Sequence, residues 1–148
     1  MRDRFTRGLV AGIITGVVPM IINHGAYALN LNSLRWADFM GKFLLGTKPV
    51  GPAEFALTVV AEFILLGLFG TVFSLITPHL SSVNYLVKGL AFGAFIWLFS
   101  YFLTNMFHLP GLMRVPVKTV ITHLIAGLLW GLALSVALNW LDHRIKTQ

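Results

Sequence analysis

The chain has 148 residues, of which 57% are hydrophobic and only 11% charged, and its mean hydropathy is +0.81. A water-soluble domain carries roughly 25% charged residues, so most of this surface must face lipid, and a soluble enzyme or soluble nucleic-acid-binding domain is excluded. The net charge of +6 lies in short segments between apolar runs, where bases meet anionic headgroups rather than nucleic acid. With no cysteine, disulfides, thiolate-held zinc, iron–sulfur clusters and covalently attached haem are excluded too.

Hydrocarbon about 30 Å thick requires about 20 apolar residues in a helix. Four stretches meet that length, at 9–29, 53–76, 85–109 and 117–141. They predict one all-α membrane domain over residues 1–148, a four-helix bundle. Thr77-Pro78-His79 with Ser81-Ser82 closes the second stretch, His108-Leu109-Pro110-Gly111 closes the third, and Pro52 and Pro116 open the second and fourth. The runs are continuous rather than alternating, which favours helices over barrel strands. Arg2, Arg4 and Arg7 before an apolar run ending in Ala26-Tyr27-Ala28 resemble a cleavable signal peptide. The segment has an internal counterpart, however, and is read as a retained span. Pro19 removes a backbone hydrogen bond to Thr15 and is expected to bend this span.

Residues 33–45 have a different pattern. Arg35, Asp38 and Lys42 recur on one helical face, and Trp36, Phe39, Met40 and Phe43 on the other. This predicts an amphipathic helix lying in the membrane surface, with Ser33 as its N-cap and Gly46 as its end. Trp36 and Trp140 are expected in the aromatic belts, and Trp97 and Trp130 between helices. With both termini in the cytoplasm, Arg2, Arg4, Arg7, Lys88, Arg144 and Lys146 are inside, and Arg35, Lys42, Lys48, Arg114 and Lys118 outside. The three bases before the first span favour that orientation in a bacterial inner (plasma) membrane.

Arg7-Gly8-Leu9-Val10-Ala11-Gly12 is echoed by Lys88-Gly89-Leu90-Ala91-Phe92-Gly93. Pro52 precedes Gly67, and Pro116 precedes Gly131, by fifteen positions each, which aligns Thr58 with Thr122. The chain thus reads as one two-helix hairpin written twice, in parallel rather than inverted orientation. Gly8, Gly12 and Gly16, Gly89 and Gly93, and Gly127 and Gly131 form small-residue faces that permit close helix packing, within one chain or between copies.

Ionisable groups in hydrocarbon are functional candidates by default. Glu62 lies about ten residues into its span, roughly 15 Å deep, and Glu54, Thr58 and Glu62 share one face. His24 and His123, with His108, Asn23, Tyr27, Asn105, Thr119 and Thr122, fall in the same half of the bilayer. They are expected to converge with Glu62 on one polar pocket, while His79 and His143 lie at the opposite surface. Facing imidazoles could ligate a b-type haem, histidine beside a carboxylate could serve a quinone headgroup, and His24, His123 and Glu62 could hold a metal. Alternatively, Glu62 hydrogen-bonds His123 or an asparagine and locks the helices together. The leading expectation is a non-enzymatic membrane subunit or binding module, homo-oligomeric or part of a larger complex. An electron-transfer subunit and a small oligomeric transporter or proton channel are the alternatives.

The run Lys88-Gly89-Leu90-Ala91-Phe92-Gly93-Ala94-Phe95-Ile96-Trp97, followed by an aromatic-rich helix end, a short loop and the Gly131 helix, resembles the YqhR-type family of small bacterial membrane proteins. The first half, with its amphipathic linker and Gly46 before the second span, is similar in layout. This resemblance implies a four-helix membrane protein and supplies no site residue. Glu62 and His123 stand outside it.

Overall fold

The computed structural model describes residues 3–81 and 84–146, the side chains from 143 onward excepted. Arg2 and Ser82, and the side chains of His143, Arg144 and Lys146, lie outside the described residues. Helices α1 (Arg4–Thr15) and α2 (Val17–Ala28) together make the first span. Then come α3 (Trp36–Leu45), α4 (Pro52–Ile76) with a short 3-10 turn at Thr77–His79, α5 (Tyr85–Met106) and α6 (Val117–Lys146). Four of the resulting helices are long and apolar enough to cross a membrane, and the described residues form no strand.

Local chemistry sets the ends. Asp3 caps α1 by accepting from the Thr6 amide at 3.0 Å, so the first span begins five residues before the apolar run. The break between α1 and α2 falls at Gly16, whose amide is shared between the Gly12 and Ile13 carbonyls at 3.0 and 3.1 Å. It lies within one turn of Pro19, which cannot donate to Thr15. The third span stops at Met106 rather than Leu109, because His108 takes a left-handed φ of +48°. The fourth runs past Leu141 to Lys146. Lys88 donates to the Thr77 and Leu80 carbonyls at 3.1 and 3.0 Å, satisfying the exposed end of α4.

The α3 segment differs from the expected helix in its cap and in which residues it buries. Arg35, not Ser33, is its N-cap; the Asp38 carboxylate accepts from the Arg35 amide at 2.7 Å and from its guanidinium at 2.9 Å. Ser33 instead donates its amide to Thr119 Oγ1 at 3.0 Å. Asp38, expected to face water, is 2% exposed. The guanidinium of Arg35 lies 4.6 and 4.8 Å from the ring centres of Tyr27 and Phe55, a cation–π arrangement that shields the ion pair. Burial works against charge on Asp38, but the side-chain and main-chain donors of Arg35 outweigh it and hold its pKa below the usual carboxylate value. Gly46 ends the helix at φ +73°, as expected.

The small residues close two seams within the chain. A Cβ on Gly8 would lie 2.6 Å from the Gly70 carbonyl oxygen, and one on Gly12 would lie 2.3 Å from that of Leu66. Gly89 would meet the Gly131 oxygen at 2.3 Å, and Gly93 the Gly127 oxygen at 2.2 Å. Gly8 also abuts Ser74 and Gly89 abuts Ser135. One seam therefore maps onto the other when Gly70 is matched to Gly131, Ser74 to Ser135 and Leu66 to Gly127. The left-handed residues Asn30 and Gly111 correspond in the same way as Gly8 and Gly89 do. This register differs by three residues from the alignment through the prolines. It matches Thr58 to Thr119 rather than Thr122, and it makes Glu62 the equivalent of His123.

The hairpins α1–α4 and α5–α6 join where α1 and α2 lie against α6. At the end carrying the termini, Asp142 bonds Arg7 and accepts from the Tyr85 hydroxyl at 3.2 Å. Helices α4 and α5 approach there too, with the Phe73 and Phe92 rings 5.0 Å apart. Farther along, Ile64 and Leu68 of α4 and Phe99 of α5 line a common cleft and are themselves exposed, so the bundle is open between these two helices.

Candidate functional site

The polar residues assemble into two arrangements, not one. The first centres on His123, which is fully buried on α6. The Tyr101 hydroxyl lies 2.9 Å from its Nδ1, and Nε2 lies 3.0 Å from the Leu34 carbonyl oxygen. Because a carbonyl only accepts, Nε2 carries the proton and Nδ1 accepts from Tyr101. The Trp36 ring stacks on the imidazole at 5.0 Å and the Phe39 ring meets it edge-on at 5.3 Å. Asn32 donates to the Asn23 side-chain oxygen at 3.3 Å, and Asn23 donates to the Pro19 carbonyl at 2.8 Å. Thr119 and His123 thus tie the chain before α3 to the second hairpin, Tyr101 holds His123 in place, and Asn32 and Asn23 tie the same segment to α2.

The second arrangement is a cleft of about 570 Å³ between α4 and α5. Pro19, Gly127 and Trp130 form its back wall, and Trp36, Met40 and Phe43 roof it from the α3 side. Among the described residues, Glu62 is the only acidic or basic side chain in its lining, and the only other polar one besides the tryptophans is Ser100. Glu62 is 6% exposed, and its Oε2 has no hydrogen-bond partner. Trp130 is 1% exposed, and its Nε1 is likewise without one. A buried polar atom left unpaired costs about 1–3 kcal/mol, so these two atoms are an unmet demand for hydrogen bonds in an apolar enclosure.

The remaining candidates divide between caps and packing. Glu54 is exposed and accepts from the Val50 amide at 2.8 Å, closing the start of α4. Thr58 is fully buried but donates to the Phe55 carbonyl at 2.8 Å on its own helix. Asn105 is exposed and Thr122 half-buried, and their side chains bond their own turns, to Tyr101 and Lys118. Of the ring nitrogens of His24, Nδ1 donates to the Met20 carbonyl at 2.9 Å and Nε2 is buried without a partner; its ring lies edge-on to Phe55. His24 does not line the cleft.

Glu62, His24 and His123 therefore do not converge. Among the described residues no group of three or more His, Cys, Asp or Glu side chains could hold a metal. An axial haem ligand needs a free imidazole nitrogen, and both nitrogens of His123 are engaged. Sequence reasoning missed Asn32, Tyr101, the Leu34 carbonyl and the Trp130 indole. The corrected repeat register carries a signal for one of these, since it places Trp130 opposite Phe69 and thereby marks an extra donor in the second hairpin. No protein-family model, curated protein or solved structure matches the chain.

Proposed function

We propose that this protein is a non-enzymatic membrane binding module that admits a lipid-soluble amphiphile sideways from the bilayer into the cleft between α4 and α5. The supporting observation is Glu62: an almost fully buried acid with an unpaired oxygen, set in the wall of an otherwise apolar cleft. A ligand pocket of this kind joins a large apolar surface to a few polar groups that orient the occupant, and intramembrane acids mark such sites. An unpaired carboxylate would be costly here, whereas a neutral carboxyl group both donates and accepts. With both termini in the cytoplasm, the roofed end of the cleft faces the outer leaflet of the bacterial inner membrane. A place in the YqhR-type family accords with this layout and adds no residue to the site.

Mass spectrometry of the gently extracted full chain tests this reading. The parent is expected to retain a small amphiphile, and Ala61→Phe, which fills the cleft, to lose it. Val60→Phe, on the lipid-facing side of α4 at 55% exposure, is expected to keep it. A parent that carries none, or an Ala61→Phe protein loaded like the parent, overturns the proposal.

A further inference from the structure

The geometry points to a quinone-type occupant: a neutral flat ring with oxygen acceptors at its two ends and a hydrocarbon tail. This rests on the binding reading above and names the ligand class. Four features lead to it.

The unpaired atoms, which a rotation of their buried side chains must first open to the cleft, are complementary to oxygen. An indole N–H only donates, so whatever meets Trp130 must accept. A neutral carboxyl at Glu62 can donate to a second acceptor.

The repeat register also sets the two groups at different levels. Trp130 lies seven residues beyond His123 on α6, about 10 Å at the helical rise, and His123 is the repeat equivalent of Glu62. Two separated acceptors on one rigid body suit that placement better than a single hydroxyl.

The walls are aromatic where the ring would lie. Trp36, Trp97 and Phe99 line the same cleft as Trp130, and stacked or edge-on ring contacts favour a flat partner. Among the described residues no lysine or arginine lines it, so nothing described there neutralises a phosphate, and a phospholipid headgroup is disfavoured inside. Finally, the exposed lining residues Ile64, Leu68 and Phe99 leave the cleft open between α4 and α5, which gives a hydrocarbon tail an exit into the bilayer.

Three of the four tryptophans line the cleft, which provides the readout. The full chain in lipid nanodiscs is titrated with a benzoquinone bearing two isoprene units, and quenching of tryptophan fluorescence is followed. Saturable quenching is expected. Trp130→Phe and Glu62→Leu are each expected to weaken it about tenfold, the effect of one lost hydrogen bond. Glu62→Gln keeps a donor and an acceptor and is expected to stay within about threefold of the parent.

An oxygen-free ring with the same tail serves as competitor, alongside a long-chain alcohol. If either competes as strongly as the quinone, or if Trp130→Phe and Glu62→Leu both bind it like the parent, quinone recognition fails while the cleft remains a binding site. If neither the quinone nor the competitors bind saturably, and the Ala61→Phe protein behaves like the parent, both readings fail together.

Discussion

At equivalent places in its two hairpins the protein holds a histidine with both ring nitrogens engaged and a glutamate with an oxygen that bonds nothing. The seams beneath them are alike, glycine on carbonyl in each. What differs is the connection. The first hairpin carries α3 between its helices, and that segment folds across to the second, where Leu34 accepts from His123 and Trp36 covers its ring. The second hairpin has only a short loop and sends nothing back over Glu62. A polar residue in a membrane bundle is thus a lock where the chain itself supplies the partners, and an open site where it does not.

The largest expected effect concerns what the hairpins share. A Cβ at Gly131 would lie 2.1 Å from the Gly89 oxygen, and one at Gly70 2.3 Å from the Gly8 oxygen. Both contacts are backbone and cannot step aside. Gly131→Leu and Gly70→Leu should each cost about 3 kcal/mol or more, beyond ordinary overpacking, measured as loss of helical signal on titration with denaturing detergent. Gly25→Ala, with nothing within 4 Å of the new atom, should be neutral or slightly stabilising. Equal damage at Gly25 would show that the seams are not special.

Next comes the contrast itself. His123→Leu leaves the Tyr101 hydroxyl and the Leu34 carbonyl without their partner, and should cost about 2–4 kcal/mol in the same titration. Glu62→Leu removes a group that is already unpaired, and should change stability by less than about 0.5 kcal/mol or raise it. If the two substitutions cost the same, Glu62 is a structural residue like its counterpart, and the hairpins do not differ in kind.

How much of this was legible in the sequence follows from the range of each interaction. The four spans and their breaks come from composition and from Pro and Gly, which act locally, and they stand within a few residues of their observed ends. Small-residue spacing is also local, so the seams could be read, but their register could not. The prolines that open α4 and α6 sit at different heights above the seams, and aligning on them displaced Glu62 from His123 by three residues. The shared pocket failed for a related reason. Depth along a helix places His24, Glu62 and His123 in one half of the bilayer, but it does not give the angle at which each side chain leaves its helix. The charge of Asp38 points to water, whereas its partner Arg35 is itself covered by the rings of Tyr27 and Phe55, which lie outside α3 and so outside the periodicity from which its faces are read.

The smallest expected effect tests whether α3 links the two sites. Its ion pair holds Asp38 below the usual carboxylate pKa, so that group binds a proton less readily in the folded chain than in the unfolded one. Its stabilising contribution is therefore complete above the unfolded value near 4 and is lost as pH falls through the lower folded value. Side-chain exposure is 3% for Asp38 but 21% for Arg35, which places the loss at about 1.5 kcal/mol, the low end for hydrogen bonds to a charged group. Between about pH 6 and pH 5 the fluorescence of Trp36 should be flat. Below about pH 4 it should change as α3 loosens over both His123 and the cleft, and Asp38→Asn should abolish that acid transition. A transition of undiminished size in Asp38→Asn would assign the acid sensitivity to another group, first of all the His123 imidazole stacked under the Trp36 ring, and leave α3 as a static roof.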